Sequence, residues 1–225
     1  MTARDEVLAS IRRSLNVTGH ETPRRAAVTE RLANAPRGVI PLRGALDGAE
    51  RLKLFCEQAQ AASATISSIA DHAALPHEVA RVLRESNLSA SLRIGADPRL
   101  AGLDWSATPT AITRGPSDGG DLNGLSHAFA GIAETGTLAL VSGPDNPTTL
   151  NFLPDNHIVV LAAADLERDL ESVWARLRAT YGKSAMPRVV NLITGPSRSA
   201  DIEQTLLLGA HGPRRLHIVI VGVAD

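Results

Sequence analysis

The 225-residue chain is poor in the residues that several large functional classes depend on. Aromatic residues make up 3% of it, which leaves little material for stacking on nucleic-acid bases. Lys and Arg number 23 against 24 Asp and Glu, so there is no basic excess to attract a polyanion. The composition therefore predicts no nucleic-acid partner and no acidic disordered tail.

Cysteine and long apolar runs are also scarce. Cys56 is the single cysteine, so the chain has no internal disulfide and too few thiolates for an iron–sulfur cluster. No run approaches the roughly 20 apolar residues that span a bilayer. The first 15 residues lack the apolar core of a secretory signal. We therefore expect a cytoplasmic protein in a reducing compartment, without a membrane span.

The N-terminal residues have the periodicity of an amphipathic helix. Apolar residues recur at helical spacing over residues 3–15 and form one stripe. The stripe consists of Val7, Leu8, Ile11 and Leu15. Residues 16–41 are rich in Pro, Arg, Gly and Thr without sustained periodicity, which predicts an extended linker. We therefore expect an N-terminal helix and linker over residues 1–43 and a compact domain over residues 44–225.

The rest of the chain alternates between helix-like and strand-like segments. Helices are predicted over residues 46–62, 72–85, 166–181 and 201–208, with Pro76 interrupting the second of them. Strands are predicted over residues 64–69, 92–94, 131–141, 157–162, 188–193 and 216–223. Residues 103–123 are expected to be mostly loop. Alternating strands and helices favour an α/β fold with a parallel sheet, in which residues 216–223 form a central apolar strand.

Two polar, glycine-bearing turns follow strand-like segments, where open α/β sheets bind ligands. The first is AETGT, in which Glu134 offers a carboxylate, Thr135 and Thr137 offer hydroxyls, and Gly136 permits close backbone approach. One interpretation is a site that binds a small anion or polarises a carbonyl. The other is a bulge or hairpin whose hydroxyls satisfy local backbone groups.

The second turn, TGPSRSADIE, spans residues 194–203 and precedes a predicted helix. Asp201 with Gln204 has the spacing of a capping box. An anion at that helix start would meet backbone N–H groups, hydroxyls and a guanidinium together. These groups belong to Gly195, Ser197, Arg198 and Ser199. The alternative is a capped helix whose Arg198 is solvated or paired with a carboxylate. No P-loop, dinucleotide or nucleophile-elbow motif occurs here.

Two histidines accompany these turns. His157 stands at the start of a predicted strand in LPDNHIVVL, and His211 lies between two glycines in GAHGP. With Glu134 or Asp155 they could form a metal or acid–base site. The alternative is that each histidine is a hydrogen-bonded structural residue, since their spacing matches no known metal motif.

Taken in order, these motifs resemble the LUD-domain family, and within it the lactate-utilization protein C (LutC- or YkgG-like) branch. The resemblance covers residues 125–223, and RDEVLASIRRSL is similar to the family's opening helix. It implies a three-layer α/β/α, Rossmann-like fold of the NagB/RpiA/CoA-transferase group, here with an N-terminal helical arm. Other motif positions that match the family are Pro154, Pro196, Asp201, Glu203, Gly212 and Pro213.

The resemblance also implies a function. It points to an accessory subunit of an iron–sulfur system that converts L-lactate to pyruvate. The expected partners are two iron–sulfur proteins, LutA-like and LutB-like, which carry the clusters, while this chain binds a small carboxylate and no cofactor directly. Glu134 and His157 are the candidate catalytic bases. The candidate anion-binding residues are Thr135, Gly136, Thr137, Gly195, Ser197, Arg198, Ser199 and His211.

Two other functions fit the same sequence. A stand-alone acyl-transferase or CoA-transferase-like enzyme, or another small-anion-binding enzyme of this fold, would use Glu134 beside Gly136 to attack an acyl thioester. A scaffold protein would instead dock a partner through the apolar stripe of its first helix. That helix could equally pack on its own domain or on a second copy.

Overall fold

The computed structural model describes residues 2–182, 185–199 and 207–223. Contacts within the chain divide it into two units, Met1–Val39 and Ile40–Asp225. The helices are α1 (Ala3–Ser14), α2 (Thr22–Asn34), α3 (Gly48–Ala61), α4 (Leu75–Glu85), α5 (Pro98–Ala101) and α6 (Leu170–Tyr181). The strands are β1 (Thr65–Ile69), β2 (Ser91–Ile94), β3 (Ala111–Arg114), β4 (Asn123–His127), β5 (Ala130–Ile132), β6 (Thr137–Val141), β7 (Asn156–Ala162), β8 (Leu166–Glu167), β9 (Val190–Ile193), β10 (Arg198–Ser199), β11 (Leu207–Leu208) and β12 (Arg215–Val221).

The N-terminal unit contains the predicted amphipathic helix. Helix α1 begins at a capping box, because the side chain of Thr2 accepts from the backbone of Asp5 while the Asp5 carboxylate accepts from the backbone of Thr2. No residue of α1 is buried, and Val7, Ile11 and Leu15 are exposed. The stripe therefore forms as the sequence predicts.

The predicted linker over residues 16–41 is wrong for its central part, which forms α2. Pro23 lies in the first turn of this helix, where its missing N–H costs nothing. Ala, Arg, Glu and Leu, which favour helices intrinsically, fill most of the later positions of α2. Since α2 buries none of its residues, it needs no apolar periodicity, and the absence of that signal was misleading.

The second unit is built on a six-stranded parallel sheet with the strand order β1–β12–β7–β4–β2–β3. Helix α4 covers one face, where Val79 joins a core with Leu125 and Ile158. Helix α3 covers the other face, where Phe55 packs with Val159 and other buried side chains. The predicted α/β class with a mostly parallel sheet is confirmed. Strand β12 lies inside the sheet between β1 and β7, as its apolar sequence indicates.

A second sheet has four strands in the order β8–β5–β6–β9. Strands β5 and β6 form an antiparallel hairpin, and β9 pairs antiparallel with β6. Leu138 and Leu140 of β6 pack into the α3 core, whereas Ala139 joins Val173 and Leu177 of α6 in a separate core. The alternation of side chains along β6 thus lets the sheet pack on both faces.

Several segment boundaries differ from the predictions. Residues 131–141 form a hairpin instead of one strand, and residues 188–193 supply β9 of the second sheet, which is half-buried and antiparallel. Pro76 lies in the first turn of α4 and does not interrupt it. Asp169 caps α6, so this helix begins later than predicted. Strands β3 and β4 were missed, because they are short and carry polar residues.

The helix predicted over residues 201–208 falls mostly outside the described residues. Its last two positions form β11, which pairs antiparallel with β10, so the helix prediction is wrong there. None of the helices in the described ranges is long and apolar enough to cross a membrane.

Gly136→Ala is expected to destabilise the fold by about 3 kcal/mol or more, because strain and overpacking add. Gly136 has φ +64°, and a Cβ there would lie 2.2 Å from the backbone nitrogen of Ala59. Gly115→Ala is the matched control, since Gly115 has φ +109° but faces open space. It should cost about 1 kcal/mol from backbone strain alone. Urea unfolding of both variants measures the difference, and equal losses would show that contact with α3 contributes nothing.

Candidate functional site

A pocket of about 270 Å³ opens at the amino-terminal ends of β7 and β12. Chain segments before β7, after β9 and before β12 form its walls. The lining residues are Asn151, Phe152, His157, Leu192, Ile193, Thr194, Gly195, Pro196, Ser197, Arg198, His211, Gly212, Pro213 and Leu216. A crevice at the carboxyl ends of the parallel strands was expected, so this location differs from the prediction.

The two motif turns TGPSRS and GAHGP meet in this pocket. The backbone N–H of Ser197 donates to the carbonyl of Pro213 at 2.8 Å, and Gly209 N–H donates to the carbonyl of Ser197 at 2.9 Å. The backbone N–H of His211 lies 3.4 Å from Ser197 Oγ. These bonds hold together segments that are more than ten residues apart in the chain.

Gly195 and Arg198 fasten the first of these turns to the end of α3. Gly195 has φ +72°, and a Cβ there would lie 2.0 Å from the carbonyl oxygen of Ala62, so no other residue fits. The guanidinium of Arg198 donates to the same carbonyl, which lies at the C-cap of α3. A cation at a helix C-terminus is electrostatically favourable. Because a guanidinium has several N–H donors, this bond leaves others for a ligand.

His157 is buried in the wall of the pocket and belongs to a polar chain. Its Nε2 lies 3.1 Å from Ser126 Oγ, which donates to Asn151 Oδ1 at 3.2 Å. Its Nδ1 is shielded from water and has no hydrogen-bond partner among the described residues. Burial lowers the pKa of His157 to about 3, so the imidazole is neutral at physiological pH.

Glu134 does not line the pocket that contains His157. It follows β5 and is buried, with Oε1 accepting from the backbone N–H of Leu170 at 3.3 Å. Leu170 is the first residue of α6, so the carboxylate satisfies a free donor at a helix start. Its Oε2 has no partner within the described ranges. The predicted pairing of Glu134 with His157 therefore has no support from a shared pocket.

The threonines of AETGT reach the pocket indirectly. Thr135 Oγ1 lies 2.7 Å from Thr137 Oγ1, which lies 2.7 Å from Thr194 Oγ1 at the pocket wall. Gly136 packs its backbone against Ala59 in the last turn of α3. This motif is therefore a hairpin turn, as in the second interpretation, but its hydroxyls contact one another and Thr194 instead of local backbone groups.

The remaining predicted positions lie outside the pocket or outside the described residues. Ser199 is buried in β10 and does not line the pocket. Pro154 packs against Gly124 of β4, where a Cβ would lie 2.8 Å from its Cγ. Asp201 and Glu203, with the predicted helix start, lie outside the described residues.

Sequence reasoning missed Ser126 and Asn151, and it did not single out Thr194 within the second turn. Ser126 belongs to β4, which was not predicted, and Asn151 lies just before β7, in a segment for which no helix or strand was predicted. The available signal was a polar pair inside apolar surroundings, Ser126 and His127 between Leu125 and Ala128. In the described part of the chain, no group of three or more His, Cys, Asp or Glu side chains is placed to hold a metal ion.

Comparison with known proteins identifies relatives of this region. Residues 122–221 match the family model described as LUD domain. An uncharacterized protein of Neisseria meningitidis serogroup B is 40% identical over 98 residues, which cover 44% of this chain and 41% of that protein. Lactate utilization protein C of Geobacillus thermodenitrificans is 32% identical over 143 residues (56% and 60%), and that of Bacillus subtilis is 28% identical over 128 residues (52% and 53%).

The matched regions thus span between 41% and 60% of the lengths of these relatives. The crystal structure of a DUF162 family protein from Deinococcus radiodurans superposes with a TM-score of 0.58 at 23% identity. The superposition covers 79% of this chain and 99% of that one, and supports the same α/β fold.

Lowering the pH from 7.5 to 5 is expected to destabilise the protein, because buried neutral histidines resist protonation. Burial lowers the pKa of His157 to about 3 and those of His127 and His217 to about 4. Between pH 6.5 and 4 the unfolded chain binds more protons at these sites, so stability falls as pH falls. At pH 5 each histidine costs about 2 kcal/mol relative to pH 7.5.

Urea unfolding across this pH range measures the effect. His127→Gln should give a shallower pH dependence than the wild-type protein. His77→Gln is the control variant, since His77 is exposed on α4. Identical slopes in wild type and H127Q would show that burial of His127 does not resist protonation.

Proposed function

We propose a role in lactate utilization for this chain, whose residues 122–221 match the LUD domain family model, as its motifs predicted. Relatives named lactate utilization protein C, from Geobacillus and Bacillus species, are the observation that carries the proposal. More specifically, we propose that the chain is the subunit without clusters of an iron–sulfur system that oxidises L-lactate to pyruvate. LutA-like and LutB-like partner proteins would carry the clusters and accept the electrons.

The pocket has suitable size and chemistry for a small carboxylate. Its volume of about 270 Å³ exceeds that of a three-carbon hydroxy acid and lies just below the usual range of ligand pockets. Arg198 and the side chain of His211 line it and offer donors to a carboxylate. The neutral His157 offers an acceptor to a hydroxyl group.

This chain's residues would bind and orient the substrate. The guanidinium of Arg198 would hold the carboxylate, and the imidazole of His157 would face the hydroxyl that loses its proton as lactate becomes a ketone. Glu134 would act indirectly, by fixing the start of α6 and the β5–β6 hairpin. The acyl-transfer alternative requires an accessible Glu134, and the burial of this carboxylate speaks against it.

Lactate-dependent dye reduction by anaerobically reconstituted partner proteins tests the subunit role. We expect L-lactate to reduce the dye only when this chain is added, because the partners would lack a complete substrate site. The same chain without partners should reduce no dye. Equal turnover by the partners alone would remove this chain from the catalytic complex.

Arg198→Ala is expected to raise the lactate concentration for half-maximal turnover by about tenfold or more, because a charged hydrogen bond to the carboxylate is lost. Arg84→Ala is the matched control, since Arg84 is an exposed arginine on α4, outside the pocket. Both variants should keep the far-UV circular dichroism of the wild-type protein. An unchanged dose–response in folded R198A would exclude Arg198 from the substrate site.

A further inference from the structure

A buried relay of three side chains joins strand β4, the loop before β7 and β7 itself. Ser126, Asn151 and His157 are 5%, 6% and 1% exposed, so water does not compete strongly for their hydrogen bonds. Asn151 and His157 both line the pocket, and Ser126, which does not line it, contacts both of them. The relay is therefore part of the pocket wall.

The hydrogen-bond donors and acceptors in this relay together determine the tautomer of His157. Asn151 Oδ1 can only accept, so the single hydroxyl proton of Ser126 is directed to it. Ser126 Oγ must then accept from His157, which places the imidazole proton on Nε2. A neutral imidazole has one N–H, so Nδ1 carries a lone pair and no proton.

This bare Nδ1 is an unsatisfied acceptor. It is buried, on a residue that lines the pocket, and has no partner within the described residues. A buried acceptor without a partner is costly, and a ligand that donates a hydrogen bond removes that cost. A ligand that presents only acceptor oxygens would instead place lone pair against lone pair.

We propose that the pocket selects small carboxylates whose α-substituent donates a hydrogen bond, and that Nδ1 of His157 accepts it. Ser126 and Asn151 are positioning residues that hold the required tautomer. This inference rests on the proposed function for the carboxylate, and it adds a rule of selectivity. Hydroxy acids should bind, whereas the keto acid formed from them should be released.

The tautomer can be observed directly, without turnover. Long-range ¹H–¹⁵N spectra of ¹⁵N-histidine-labelled full-length protein distinguish a protonated from a bare ring nitrogen. We expect His157 to show protonated Nε2 and bare Nδ1 between pH 6 and 8, with His157→Gln identifying its signals. A proton on Nδ1 would overturn the inference whether or not the protein acts on lactate.

Ser126→Ala tests the positioning role, because it removes the acceptor that holds the proton on Nε2. His157 should then populate both tautomers. Ser67→Ala is the matched control, since Ser67 Oγ contacts Nε2 of His217 at 3.0 Å on the same sheet but outside the pocket. It should leave the signals of His157 unchanged. A single Nε2–H tautomer in folded S126A would remove Ser126 from the positioning role.

Ligand binding tests the selectivity. Calorimetry should show that wild-type protein binds L-lactate about tenfold or more tightly than propionate, which lacks the hydroxyl, or pyruvate, which has a carbonyl there. L-alanine carries an ammonium donor in place of the hydroxyl of L-lactate. Tighter binding of L-alanine than of propionate would therefore support the same rule. S126A should reduce the preference for L-lactate, while S67A should retain it.

The outcomes separate this inference from the proposed function. Equal affinity for L-lactate, propionate and pyruvate would overturn the selectivity rule while leaving a carboxylate site in place. No binding of any of these carboxylates, together with no lactate-dependent dye reduction, would overturn the proposed function and the carboxylate class with it. Tight L-lactate binding with Nδ1 protonated would retain the function and reject the relay.

Discussion

The end of helix α3 is the surface on which the candidate site depends. The backbone of Gly136 packs against Ala59, and the backbone of Gly195 packs against Ala62 one turn later. Neither position can hold a Cβ, so glycine is a steric requirement at both. The guanidinium of Arg198 adds a bond to the carbonyl of Ala62. Two turns that are distant in the chain are thereby positioned by one short stretch of helix.

The pocket wall also shows a conflict between stability and binding. A buried neutral histidine lowers stability in acid, because the unfolded chain binds the proton more readily. An apolar residue at position 157 would avoid this cost, but it would supply no acceptor. Ser126 and Asn151 satisfy only one ring nitrogen, and the other has no partner among the described residues. A buried polar group that the fold leaves unsatisfied needs an explanation, and the proposed ligand supplies one.

The sequence predicted the parts whose patterns depend on local physics. Apolar β-branched residues identified β12, helical spacing identified α1 and most of α6, and a composition rich in Ala, Leu and Glu identified α3. The hairpin at Gly136 was missed because an apolar run on either side of a turn looks like one long strand. Helix α2 was missed because an exposed helix needs no apolar stripe. The motifs TGPSRS and GAHGP were predicted to be site segments, and both line the pocket. The contact of Ser126 with His157, in contrast, depends on strand pairing that no local pattern records.

The position of the pocket follows from the second sheet. In an open parallel sheet, ligands usually meet helix N-termini at the carboxyl ends of the strands. Here β9 belongs to the second sheet, and the chain after Ile193 passes to the amino ends of β7 and β12. There the backbone N–H of Ser197 donates to the carbonyl of Pro213, just before β12 begins. Donors for an anion at the amino ends of these strands must therefore come from the TGPSRS turn and from Arg198. This explains why the polar motif residues lie at a few positions between strands.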